Sequence, residues 1–239
     1  MPTVLTQPIE EMVNDVGPRL KKFTRAECRA ITDSGVIDAG PLELIDGDIL
    51  VKHTPTGPRR RLWTVDEIEA LRVAGALDVE RLELIEGELY DKMKNRPHVI
   101  AQHRIGRVLF EVFGVDRVAT ESTIAVAEGD RPASDPVPDL VVTNRGVETY
   151  LNVPRPEDVS LIVEVSDTTL RYDLRTTAAL YARAGIIEYW VADLNGRRLV
   201  VHRQPEQGRY TSVVSYTANE TVTPVAAPGV NVLVESLFS

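Results

Sequence analysis

Between Pro97 and Phe113, apolar residues recur at Ile105, Val108, Leu109, Val112 and Phe113, the spacing of a helix that buries one face. Farther along, Leu140–Val142 and Leu161–Val165 are almost uninterrupted apolar runs, which predict central strands covered on both sides. Ser122–Ala127 reads as another strand. Alternation within the Leu161–Val165 run sets Ile162, Glu164 and Ser166 on one face, with Leu161, Val163 and Val165 on the other. Asp173 predicts the N-cap of a helix through Ala184, which Gly185 terminates. Tyr189–Asp193 and Arg198–His202 flank Asn195-Gly196, a two-stranded hairpin signal, and shorter β-like runs follow at Thr211–Tyr216 and Val230–Val234. The order helix, hairpin, helix, strands, helix, hairpin predicts an α/β (α+β) layout with a mixed sheet, not a doubly wound dinucleotide fold.

The front of the chain repeats itself. FTRAECRAITDSGVIDAGPLELIDGDILVK, from Phe23, aligns without a gap on WTVDEIEALRVAGALDVERLELIEGELYDK, from Trp63, at a constant offset of forty residues. Each copy opens with Thr-x-x-Glu (Thr24 and Glu27, Thr64 and Glu67), the capping box of a helix start, preceded by an aromatic residue placed to staple against Cys28 or Ile68. Gly35 and Gly75 end the helices, and the LELI runs with the glycines that follow read as strand, turn and second strand. Two copies are too few for a solenoid, so the pattern reads as a partial duplication of one helix–hairpin element. HTPTGPRRR separates the copies as a linker-like stretch.

A length of 239 residues allows one sizeable core, with or without a small appendage. The single cysteine, Cys28, excludes an internal disulfide and fits a reducing compartment. MPTVLTQPIEEMVNDVGP lacks the basic-then-apolar layout of a signal peptide, and no apolar run approaches membrane-spanning length. A cytoplasmic protein without a membrane partner is expected. The formal net charge of −9 argues against avid non-specific nucleic-acid binding, but leaves room for a local basic patch.

Two acids stand out against this background. Asp139 opens an apolar run, and Glu164 sits within one; a carboxylate in a core strand is costly unless it is paired or holds a cation. Two such acids on neighbouring strands form an oxygen cradle suited to Mg²⁺. Glu83, in LELIEGE, is a third candidate, yet Glu43 occupies the same place in the other copy and points to a role within the hairpin itself. His98 and His103 lie five apart, which does not align two imidazoles on one helical face. No glycine-rich phosphate loop or G-x-S-x-G occurs, which counts against kinase, dehydrogenase and α/β-hydrolase chemistry.

Taken in order, WTVDE, LELIEGE, the helix at Pro97-His98, PVPDLVV, LIVEVSDTTLRYD, LYARAGIIEYWVAD and the basic hairpin resemble the Uma-two family of putative restriction endonucleases, within the PD-(D/E)XK nuclease superfamily. The resemblance runs from about Arg61 to about Tyr210. It implies a restriction-endonuclease-like mixed β-sheet flanked by helices over 59–239, preceded by an arm and partial repeat over 1–58. It also implies that Asp139, Glu164 and the backbone carbonyl of Val165 hold Mg²⁺ or Mn²⁺. Glu83 would be a further catalytic acid beside Asp139 and Glu164, and the reaction would be hydrolysis of DNA phosphodiester bonds. A homodimer is an assembly open to such enzymes.

The departures from that pattern concern the cation. Where the superfamily places a lysine after the second acid this chain has Ser166, and at the alternative position in the following helix it has Thr177; no lysine follows Lys94. Lys92 and Lys94 are the lysines left to reach the site. Three readings therefore stand open: a nuclease with a substitute cation, a nuclease fold that binds nucleic acid or protein without cutting, and an unrelated domain whose core acids are paired structurally.

Overall fold

The computed structural model describes residues 3, 4, 15–37, 40, 42–52, 54, 57–92 and 94–239. The linker residues His53, Pro55 and Thr56, the repeat position Asp38 and most of the N-terminal stretch lie outside them. Two compact units divide the chain. One is Arg19–Met93 with Glu128–Pro136; the other is Met1–Pro18, Lys94–Ala127 and Val137–Ser239. Both repeats belong to the first unit.

β1 (Thr3–Val4) joins the large sheet of the second unit. The repeat unit then begins with β2 (Arg19–Leu20) and α1 (Arg25–Asp33), followed by the hairpin β3 (Leu42–Ile45) and β4 (Asp48–Val51). The second copy supplies β5 (Arg59–Arg60), α2 (Val65–Val73), β6 (Leu82–Ile85) and β7 (Glu88–Asp91). Both predicted capping boxes form: the Thr24 and Thr64 hydroxyls accept the amides of Glu27 and Glu67, whose carboxylates accept the Thr24 and Thr64 amides. Gly35 and Gly75 both take φ of 66°, the left-handed conformation that ends a helix without a Cβ clash. Ile31, Ile49, Leu71, Leu84 and Leu89 fill a core shared by the two copies, with Cys28 packed against it.

The second unit is built on a mixed sheet. α3 (Arg96–Phe113) precedes β8 (Val118–Thr120), β9 (Leu140–Thr143) and β10 (Val159–Ser166). A composite helix follows: Leu170–Tyr172, a π-helical turn over Asp173–Thr177, then Ala178–Ala184, closed by Gly185 in the left-handed conformation. β11 (Glu188–Asp193), β12 (Arg198–Glu206) and β13 (Arg209–Thr217) complete the sheet; β14 (Thr221–Val222) and β15 (Val232–Leu233) pair separately. Strand order is β1-β13-β12-β11-β10-β9-β8, with β10 and β11 parallel and the other pairs antiparallel.

Alternation along β10 is as the sequence predicts. Leu161, Val163 and Val165 join the core built with α3, while Ile162 joins the one built with the composite helix. A bulge between Val159 and Leu161 explains why Val159 packs with Ile162 rather than with Leu161. Two local expectations fail. Ser122–Ala127 is not a strand: Ile124 and Val126 are buried, but the sheet edge is Val118–Thr120 instead. Asp173 is not an N-cap, because the helix already begins at Leu170; its carboxylate accepts the hydroxyls of Ser166, at 2.5 Å, and Thr169, at 2.6 Å.

Two core acids are paired with arginines: Asp193, which receives Arg198 Nε at 2.7 Å, and Glu188. Glu188 is fully buried and receives Arg203 Nε at 2.9 Å, Trp190 Nε1 at 3.0 Å and the Val225 amide at 2.7 Å. Among the described residues, no helix is long and apolar enough to cross a membrane.

Candidate active site

Register brings the two acids together. β9 and β10 pair Val141 with Ile162 and Leu140 with Val163, so the next step sets Asp139 opposite Glu164. The Asp139 amide points at Glu164 Oε2 across 3.3 Å, and the Val165 amide donates to Asp139 Oδ2 at 2.8 Å. Tyr181, on the composite helix, donates its hydroxyl to Glu164 Oε1 at 3.0 Å.

A cation reaches the same place. Lys94 Nζ lies 2.6 Å from Asp139 Oδ1, and His98 Nε2 lies 3.1 Å from that oxygen. Lys94 also donates to Gln102 Oε1 at 3.2 Å and Glu121 Oε1 at 2.9 Å, while Gln102 Nε2 donates to the Asp139 carbonyl at 2.9 Å. The ammonium beside Glu121 holds its carboxyl below the usual carboxylate range. Lys94 stands immediately before Asn95, whose side chain caps α3 by accepting the His98 amide at 2.9 Å. The cap therefore orients the turn that delivers both Lys94 and His98.

Lys94, His98 and Gln102 are spaced by four and fall on one side of the helix start. That four-residue spacing is present in the sequence, whereas the five residues between His98 and His103 carry no such alignment. The two positions at which the resemblance implies a lysine are otherwise engaged. Ser166 is buried against Asp173 and Thr169, and Thr177 is buried in the π-helical turn, one turn before Tyr181.

Glu83 belongs to the repeat unit. Lys92 Nζ stands 3.4 Å from its Oε1, and Lys52 Nζ stands 3.4 Å from Oε1 of Glu43, the counterpart pair forty residues earlier. This ion pair is a property of the hairpin in both copies.

A family model described as "Putative restriction endonuclease", Uma2, matches residues 65–235. The chain belongs to the Uma2 family. Its match spans α2, the second hairpin and nearly all of the sheet unit, including Lys94, Asp139 and Glu164. Among solved structures, a putative nuclease of DUF820 from Anabaena variabilis ATCC 29413 is similar, with a TM-score of 0.52 at 20% identity over 73% of this chain and 97% of that one. This likeness extends the Uma2 assignment to a nuclease-like α+β fold. No curated protein matches the chain.

Proposed function

We propose that this Uma2 protein is a Mg²⁺- or Mn²⁺-dependent endonuclease that hydrolyses DNA phosphodiester bonds in the cytoplasm. The observation that carries the reading is the in-register pair Asp139 and Glu164, with Lys94 Nζ 2.6 Å from the Asp139 carboxylate. Restriction-endonuclease-like families generally use divalent metals, and the donors here suit one. The Asp139 and Glu164 carboxylates and the Val165 carbonyl are hard oxygens, and Mg²⁺ is ordinarily held by one or two carboxylates with water completing its shell. Such an ion, when bound, polarises a phosphate oxygen and acidifies water.

The protein's own groups supply the rest. Lys94 is the cation that orients attacking water and offsets the negative charge gathering on the phosphate, in place of the lysine absent at Ser166 and Thr177. Gln102 keeps that ammonium from drifting by accepting one of its protons at 3.2 Å. His98 and the Val165 amide hold the two Asp139 oxygens, and Tyr181 holds Glu164. Glu83 enters as a further acid, to be tested beside Glu43.

A second reading, a nuclease fold that binds without cutting, is favoured by Ser166 and Thr177 at the positions expected to carry lysine. The two separate in a cleavage assay on plasmid and single-stranded DNA with Mg²⁺ or Mn²⁺. Wild type cuts, Glu164→Ala does not, and Lys94→Ala falls about 100-fold or more, the scale on which one charge-stabilising donor acts. Adding Thr177→Lys to Lys94→Ala returns part of the loss. Silence of wild type and of Thr177→Lys alike would leave only the binding reading.

A further inference from the structure

The two repeats are related by a two-fold exchange rather than by stacking. β2, the lead-in strand of the first copy, pairs with β7 of the second: Arg19 with Asp91 and Leu20 with Tyr90. β5, the lead-in strand of the second copy, pairs with β4 of the first: Arg59 with Val51 and Arg60 with Leu50. Each pair maps onto the other when forty is added or subtracted. The bonds that extend them do the same, since the Lys21 amide donates to the Leu89 carbonyl and the Arg61 amide to the Ile49 carbonyl, both at 2.8 Å.

After the crossing, each chain segment returns to its own copy. The Phe23 amide bonds the Gly47 carbonyl at 2.7 Å, and the Trp63 amide bonds the Gly87 carbonyl at 2.8 Å. Phe23 and Trp63, themselves counterparts, meet ring to ring at 5.5 Å. With the strand pairing crossing reciprocally on either side, this contact between counterparts lies at the local two-fold axis. Flanking cations obey the same relation: Lys21 lies over Phe23 and bonds Glu27, while Arg61 lies over Trp63 and bonds Glu67.

In a stacked repeat, the first copy would contact the second through one surface and the second would answer through a different one. Here the same surface serves on both sides, which is the mark of an isologous interface of the kind formed by two identical chains that exchange strands. A helix–hairpin copy standing by itself has a lead-in strand without a partner and a hairpin edge open to pairing. The surface therefore fits a second copy of the same element.

We infer that the tandem repeat is a single-chain pseudo-dimer. Its reciprocal strand exchange is closed in cis, so this self-pairing surface is consumed within one chain and is not offered to another. The inference does not depend on the nuclease reading.

Crosslinking the exchanged strands in the full chain tests it. In a Cys28→Ser background, Leu20→Cys with Tyr90→Cys joins β2 to β7, and Leu50→Cys with Arg60→Cys joins β4 to β5. After oxidation in dilute solution, both variants are expected to lose their free thiols and to run on non-reducing gels at the mass of one chain. Covalent dimers would overturn the inference, because the exchange would then be between chains. Thiols that stay free in either variant would also overturn it, because the pairing would not be reciprocal.

Discussion

Ile45 and Ile85 close identical LELI runs, yet Ile85 is 2% exposed and Ile45 is 46% exposed. Their copies share the capping box, the terminating glycine, the hairpin register and the Glu–Lys pair. They differ in what lies along the hairpin edge. In the second copy, Glu128–Pro136 packs there: Leu84 bridges Asp135, the Gly87 amide bonds the Ala133 carbonyl at 2.7 Å, and the Glu86 amide bonds Ser134 Oγ at 2.9 Å. In the first copy β3 is the edge of its sheet. The same residues thus become core or surface according to a segment more than forty residues away, which shows that local pattern sets the element and distant chain sets its burial.

The sharpest way to break this comparison is to place a charge at both sites. Ile85→Asp should cost about 4 kcal/mol, because it buries an unpaired carboxylate, whereas Ile45→Asp should cost under about 0.5 kcal/mol in urea unfolding. Equal losses would mean that the cover over the second hairpin is not what distinguishes the copies.

Acid should separate the repeat unit from the sheet unit. His202 is buried against Tyr189 and Tyr210, and burial holds its pKa down to about 4. Because the unfolded chain binds that proton near pH 6.5, stability is lost as pH falls from about 6.5 to about 4, by roughly 3 kcal/mol, and is unaffected by this group above about pH 7. Trp63 and Trp190 report one unit each. Fluorescence-detected unfolding of Trp63→Phe should show the acid loss through Trp190, and His202→Phe should abolish it.

The paired glutamates give a smaller and more selective contrast. Glu83→Gln is expected to slow DNA cleavage about 100-fold, or ~2.7 kcal/mol, while Glu43→Gln leaves the rate unchanged. Unchanged rates in both would remove Glu83 from the site and leave it as a hairpin residue. The smallest effect should be shared: Thr24→Ala and Thr64→Ala each remove a cap and should each cost about 1 kcal/mol, measured by denaturant titration.

Much of the sheet unit was legible beforehand. The apolar runs at Leu140 and Leu161 are neighbouring central strands, and alternation set Glu164 on the face that meets Tyr181. Asp173 departs from its predicted N-cap role because a good capping residue is equally able to accept hydroxyls from inside a helix, as it does from Ser166 and Thr169. The sequence leaves Lys92 and Lys94 as the cations able to reach the site but does not choose between them. Lys94 lies 45 residues before Asp139 and reaches it because α3 starts at the sheet end where β9 begins, whereas Lys92 pairs with Glu83.

By itself, then, the sequence determined what depends on neighbours along the chain: the caps at Thr24 and Thr64, the turns, the period of each element and the face on which Glu164 falls. Tertiary structure decided what depends on pairing at a distance. It set Lys94 on Asp139, covered Ile85 but not Ile45, and crossed the lead-in strands of the two repeats. Such pairings join segments whose separation no local period encodes, and they form because buried carboxylates and open strand edges must find partners somewhere in the fold.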